Sequence, residues 1–239
     1  MKLERRILKI NETVVTVISE EKFIPVAQEE IFFQRSLLED YIKNDPAFVF
    51  TLKPYPVPDD APEIVKKMAD AGEKAGVGPI AAVAGAIAEF ALKAMLKEGA
   101  THAIVDNGGD IAMFISGPVI VGIYTGQDET SHFGFKFLPS QQIIGVCTSS
   151  GTVGHSVSFG RADAAVVISE DVVLADAVAT ALGNKVNGEN KKVLKEAIES
   201  TLIPGIEAML VIVGGLFGMA GDLPEMVVVN TNPEIITKG

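Results

Sequence analysis

Cysteine is almost missing from this sequence. Cys147 is the single one in 239 residues, which excludes an internal disulfide and any thiolate-built zinc or iron-sulfur centre within one chain. The expectation is a reducing, cytoplasmic setting. Basic residues are also scarce: 20 Lys and Arg stand against 31 Asp and Glu, a net charge of -11, with the acids dispersed along the chain. A nucleic-acid or anionic-membrane binder needs clustered Lys and Arg to replace counterions, so neither partner is expected. No apolar stretch follows Met1-Lys2-Leu3-Glu4-Arg5-Arg6, so the amino terminus does not read as a signal peptide. The longest charge-free apolar segments, Ile111 to Gln127 and Ala208 to Gly221, are interrupted by Gly, Pro or Ser. They fall short of the roughly 20 residues of a bilayer span. Internal repeats, low-complexity tracts and a Gly-x-Ser-x-Gly elbow are absent as well.

What is present is a large apolar fraction, 48%, with 21% charged residues. This is enough for a sizeable core, and we expect residues 1–239 to form a single domain. Leu3 to Ile10 and Thr13 to Ile18 read as an opening hairpin, and Pro25 to Ile42 as an amphipathic helix. Pro54, Pro56, Pro58 and Pro62 mark a surface crossing. Asp60 and Glu63 have capping-box spacing for a helix from Ala61 to Ala75, and Pro79 suits the first turn of another reaching Lys97. The opening of that second helix, Ile80 to Ala88, has no polar side chain, which predicts burial on all sides and close approach of another backbone. Short β-rich runs from His102 to Ile168 belong in one largely antiparallel or mixed sheet. Helices follow at Val172 to Leu182 and Lys191 to Leu202, then closing strands at 206–213, 216–219 and 226–229. The fold class is α+β.

Three segments carry polar residues out of place. In the eleven residues Val172 to Leu182 the only polar side chains are Asp176 and Thr180, whose i, i+4 spacing puts both on one helix face. A desolvated carboxylate needs a counter-charge or a raised pKa. Two partners fit: Arg161, the only Lys or Arg between Lys136 and Lys185, or a divalent cation such as Mg²⁺, which suits carboxylate, hydroxyl and carbonyl oxygens. The second segment, Asp106-Asn107-Gly108-Gly109-Asp110-Ile111, places a glycine pair between two β-rich runs. It reads either as a plain hairpin turn or as an anion-binding nest. The third, Cys147-Thr148-Ser149-Ser150-Gly151 through His155, crowds hydroxyls, glycines and a histidine into a stretch without full charges. It reads either as an ordinary connection or as a phosphate and ribose cradle with His155 as proton carrier.

Taken in this order, the segments resemble the ApbE family of flavin transferases. Asp106 to Ile111 is similar to the family's Asn-x-Gly-Gly-Asp loop, Ser150-Gly151 with His155 to its Ser-Gly and His segment, and Ala175 to Leu182 to its Asp-Ala-x-Ala-Thr-Ala helix. The whole chain looks like a branch of that superfamily common in archaea, methanogens included. The family's Ala-Lys-Gly is replaced by Gly78-Pro79-Ile80-Ala81-Ala82, and its Asp-Pro-x-Thr-Gly after the histidine is absent. The resemblance implies an ApbE-like α+β fold, with a mixed, largely antiparallel sheet and packed helices, and a flavin dinucleotide in the cleft. It implies Mg²⁺ held by Asp176, Thr180 and a backbone carbonyl, and transfer of FMN from FAD to a threonine of an acceptor protein with loss of AMP.

The functional expectation is a Mg²⁺-dependent enzyme acting on FAD or another nucleotide, either an FMN transferase or a pyrophosphatase. Asn107, Gly108, Gly109, Asp110, Ser149, Ser150 and Gly151 would line the cofactor, Asp176 and Thr180 would hold metal, and His155 would move a proton. The alternative is a non-catalytic nucleotide-binding protein in which Arg161 pairs with Asp176. A third is a structural homo-oligomer in contact through Ala208 to Gly221.

Overall fold

The structure, a computed structural model, describes residues 2–10, 13–126, 132–151 and 160–229. Strands β1 (Glu4–Ile10) and β2 (Thr13–Ser19) pair antiparallel as the opening hairpin. Helix α1 (Ile24–Asn44) follows, then a four-residue α2 (Ala47–Phe50) and the proline-marked crossing, which is neither helix nor strand. Helix α3 (Glu63–Ala75) starts two residues later than expected, and its N-terminus carries no side-chain cap, so the Asp60–Glu63 capping box does not form. Pro62 occupies the capping position instead, with no hydroxyl or carboxylate to offer. The apolar segment expected as one helix is divided: Pro79–Ala82 is a tight 3₁₀ turn and α4 runs Val83–Lys97.

The second half alternates hairpins and helices: β3 (Ala103–Asn107), β4 (Asp110–Phe114), β5 (Val119–Ile123), β6 (Phe133–Phe137), β7 (Ile144–Ser149), β8 (Ala164–Ser169), α5 (Val172–Lys185), α6 (Lys191–Glu199), β9 (Ala208–Val213), β10 (Leu216–Gly221) and β11 (Glu225–Val228). All the strand pairs are antiparallel. The single expected sheet is two: eight strands in the order β1-β2-β3-β4-β7-β8-β9-β10, and three in the order β11-β6-β5. Because β4 pairs directly with β7, the β5–β6 hairpin is left out of the large sheet.

The hairpin covers the large sheet's second face. Val167, Met209 and Val211 point into the core shared with the helices, whereas their neighbours Val166, Leu210 and Ile212 point into a second core with Val121, Phe135 and Phe137. A strand buried on both faces needs no polar alternation, which explains why β8 and β9 read as unbroken apolar runs. By length and apolarity alone Pro79–Lys97 could cross a bilayer. Here it packs against α1, α3, α5 and the sheet, with Ala82, Ala86, Ala88 and Leu92 fully buried.

Candidate active site

Helix α5 is buried on all sides between α3, α4 and strands β7 and β8. Its N-terminus is fastened twice: Asp171 accepts from the Leu174 amide at 3.0 Å, and Glu89 of α4 accepts from the Val172 amide at 2.9 Å. Both carboxylates also favour the positive end of the helix dipole. One turn along, α4 and α5 meet at Gly85, whose backbone N–H donates to Asp176 Oδ2 at 2.8 Å. A Cβ on Gly85 would lie 2.8 Å from both Asp176 Cβ and the Val172 carbonyl, so the contact requires glycine.

Asp176 is 7% exposed and has no cationic partner among the described residues. Burial raises its pKa to about 7, against the smaller opposing effect of the Gly85 and Ala84 amides. Arg161 is exposed and no ion pair joins it to Asp176, so the salt-bridge reading of the helix fails. Asp110, on the strand leaving the glycine pair, is also buried. Burial first, and then the nearby Asp176 charge, push its pKa well above the carboxylate range, while the Thr148 N–H at 3.2 Å works the other way. Two neighbouring acids thus occupy a site without basic compensation among the described residues. Among the described residues there is no cluster of three His, Cys, Asp or Glu side chains that could hold a metal. Any such ion must take hydroxyl and main-chain oxygens as well.

Those oxygens come from the segment that the sequence leaves without a polar side chain. Thr180 Oγ1 lies 3.5 Å from the Ala81 carbonyl, and Asn107 Nδ2 donates to the Ala84 carbonyl at 3.1 Å. The 3₁₀ turn and first turn of α4 therefore present main-chain groups to Thr180, Asp176 and Asn107 at once. Side-chain pattern alone could not reveal this; the signal was the run of small residues after Pro79.

Gly108 and Gly109 form the two-residue β3–β4 turn, with φ of 69° and 102°, and the Gly109 amide donates to Asp106 Oδ1 at 2.9 Å. The hairpin reading holds, and the turn delivers Asn107 and Asp110 to the neighbourhood of Asp176. Ser149 and Ser150 are buried where β7 ends, next to Thr148 and its bond to Asp110. Gly151 donates to the Ala162 carbonyl at 2.9 Å, and a Cβ there would collide with the Gly160 carbonyl at 2.2 Å. His155 lies outside the described residues. Cys147 is in the core, its thiol pKa raised well up by burial and by Asp110. His102 is a satisfied core histidine, accepting from the Ser116 amide at 3.2 Å.

Residues 7–203 match the family model described as AbpE bacteria. The chain is 48% identical over 236 residues to the UPF0280 protein of Methanosarcina barkeri, covering 96% of this chain and 91% of that one. The chain belongs to the UPF0280 family of ApbE-like proteins. The UPF0280 protein of Archaeoglobus fulgidus is 41% identical over 232 residues, covering 95% and 96% of the two chains. Among solved structures, the apo flavinyl transferase ApbE of Pseudomonas stutzeri aligns with a TM-score of 0.56 at 14% identity, over 92% of this chain and 94% of that one. The ApbE protein of Thermotoga maritima aligns with a TM-score of 0.56 at 14% identity over 100% of both. The UPF0280 chain thus has the ApbE fold, an α+β arrangement of antiparallel sheets and packed helices.

Proposed function

We propose that this UPF0280 protein is a cytoplasmic, Mg²⁺-dependent enzyme acting on FAD, as an FAD:protein FMN transferase or an FAD pyrophosphatase. The observation that carries the reading is Asp176: a carboxylate sealed among alanines and valines, without a basic neighbour among the described residues, beside the Thr180 hydroxyl and the Ala81 carbonyl. These are the hard oxygen donors that Mg²⁺ takes, so the residues present fit the ion. Mg²⁺ bound there would neutralise charge developing on the oxygens of a pyrophosphate.

The chain's own residues do the rest. The Gly85 amide fixes the rotamer of Asp176. The Asn107 bond to Ala84 holds the glycine turn against α4, leaving its far side for a phosphate or ribose. Ser149, Ser150 and Gly151 border the same region through the Thr148–Asp110 link. In the transferase reaction a threonine Oγ of the acceptor forms a bond to the FMN phosphorus as the pyrophosphate P–O bond breaks. AMP departs with the bond electrons, and His155 takes the hydroxyl proton.

The test incubates purified protein with FAD, FMN, ATP or NAD, with Mg²⁺ or EDTA, and follows melting temperature and AMP release. A Mg²⁺-dependent FAD shift with AMP release is expected, and Asp176→Asn should abolish both while the unliganded protein stays folded. Binding without AMP release would make it a nucleotide-binding protein without turnover. Equal binding of every nucleotide in EDTA would overturn the metal assignment.

A further inference from the structure

The two edges of the eight-stranded sheet are built differently. The β1 edge carries Glu4, Arg5, Arg6 and Lys9, the charged residues that discourage strand pairing between molecules. The β10 edge, Leu-Phe-Gly-Met-Ala-Gly, carries no charge and no proline, and no described strand pairs with its outer side. Phe217 and Met219 on it are 43% and 52% exposed. Beside it runs a groove of about 390 Å³, lined by Leu194, Ile198 and Leu202 together with Phe217, Met219 and Ala220. It lies apart from Asp176, so nothing here depends on the proposed activity.

We infer that this edge pairs with the same edge of a second copy of the chain, β10 antiparallel to β10, about a two-fold axis perpendicular to the sheet. Charge selects this occupant. The chain carries -11 overall and repels itself, yet residues 191–221 hold three lysines and three glutamates and are neutral. Their order is also self-complementary. Lys191 and Lys195 line the groove towards the start of α6, and Glu199 lines it at the end. A two-fold axis lays the two α6 helices antiparallel, bringing the lysines of one copy to the glutamate of the other. Antiparallel pairing centred on Gly218 keeps every side chain on its own face, so Phe217 of one copy meets Met219 of the other. The strand's free N–H and C=O groups are then satisfied, and the eight strands of each copy join into one continuous sheet.

The experiment is sedimentation velocity of the full chain across the micromolar range, with melting temperature recorded for each variant. The native protein should sediment at twice the chain mass, and Met219→Lys should sediment as a folded monomer. Lys195→Glu and Glu199→Lys should each weaken association at least tenfold. The double variant Lys195→Glu with Glu199→Lys should restore it, because both copies then carry the exchanged pair. A native monomer at every concentration would overturn the inference, as would a dimer indifferent to Met219→Lys. A double variant no tighter than the singles would overturn the antiparallel arrangement.

Discussion

Glu89 and Asp176 are two buried carboxylates on adjacent helices, handled in opposite ways. Glu89 is 1% exposed, yet Lys67 at 2.8 Å and Lys93 at 2.5 Å pair with it and the Val172 amide donates to it. Burial alone would raise its pKa; the two ammonium groups bring it below the usual glutamate value. Asp176, one helix turn away across the same contact, receives amides alone among the described residues and is pushed up to about 7. The molecule has lysines to neutralise a buried acid and places them on the structural one. Asp176 sits beside a hydroxyl and a carbonyl, with no ammonium group paired to it among the described residues.

Removing the compensated acid should have the largest effect on stability. Glu89→Ala leaves Lys67 and Lys93 facing each other and the α5 N-terminus short of an acceptor. A loss of about 3–5 kcal/mol is expected, read as a melting temperature lowered by roughly 10 °C. Glu89→Gln keeps an acceptor for Val172 and should lose clearly less. If both variants melt like the native protein, the lysines do not stabilise this helix pair.

Gly85→Ala attacks the contact that joins the two acids' helices. The added methyl meets backbone on α5, so α4 must shift, at a cost of about 1–3 kcal/mol. Because the Gly85 amide also orients Asp176, the Mg²⁺-dependent melting shift should shrink beyond what lost stability explains. An unchanged Mg²⁺ titration would show that the amide does not set the carboxylate's position.

The smallest effect is on pH dependence, where the two acids act with opposite signs. Unfolded Asp176 releases its proton near 3.8, whereas the folded protein keeps it until about 7. Metal-free stability from this group is therefore fullest below 3.8 and falls as pH rises towards 7, by a few kcal/mol at most. Glu89 contributes above its unfolded value of 4.5, and that contribution is lost as pH falls through its lowered folded value. Melting of metal-free protein between pH 4 and pH 8 should thus decline less in Asp176→Asn than in the native chain. Parallel profiles would mean that Asp176 ionises normally.

The Asp176–Thr180 pair and the glycine hairpin were legible in the sequence because each breaks a local pattern: polar residues in an apolar helix, two glycines between β-rich runs. The partition into two sheets was not. Burial of β8 and β9 on both faces erases the alternation that would have signalled a second layer. Glu89 also escaped notice, since a glutamate on a helix with two lysines nearby in sequence or space has the composition of a solvated face. The Ala81 and Ala84 carbonyls and the Gly85 amide were illegible for a different reason: every residue carries the carbonyl, and every residue except proline the N–H.

That last feature governs how the site can drift. Where a ligand contact is made by peptide atoms, a mutation changes the decoration and leaves the contact in place, provided the newcomer is small enough for α5 to remain where it is. Positions 81 and 84 should therefore tolerate chemistry and resist bulk, whereas position 85 must stay glycine. Descendants of this chain could keep their grip on the acid and the hydroxyl long after the letters of the segment have ceased to look alike.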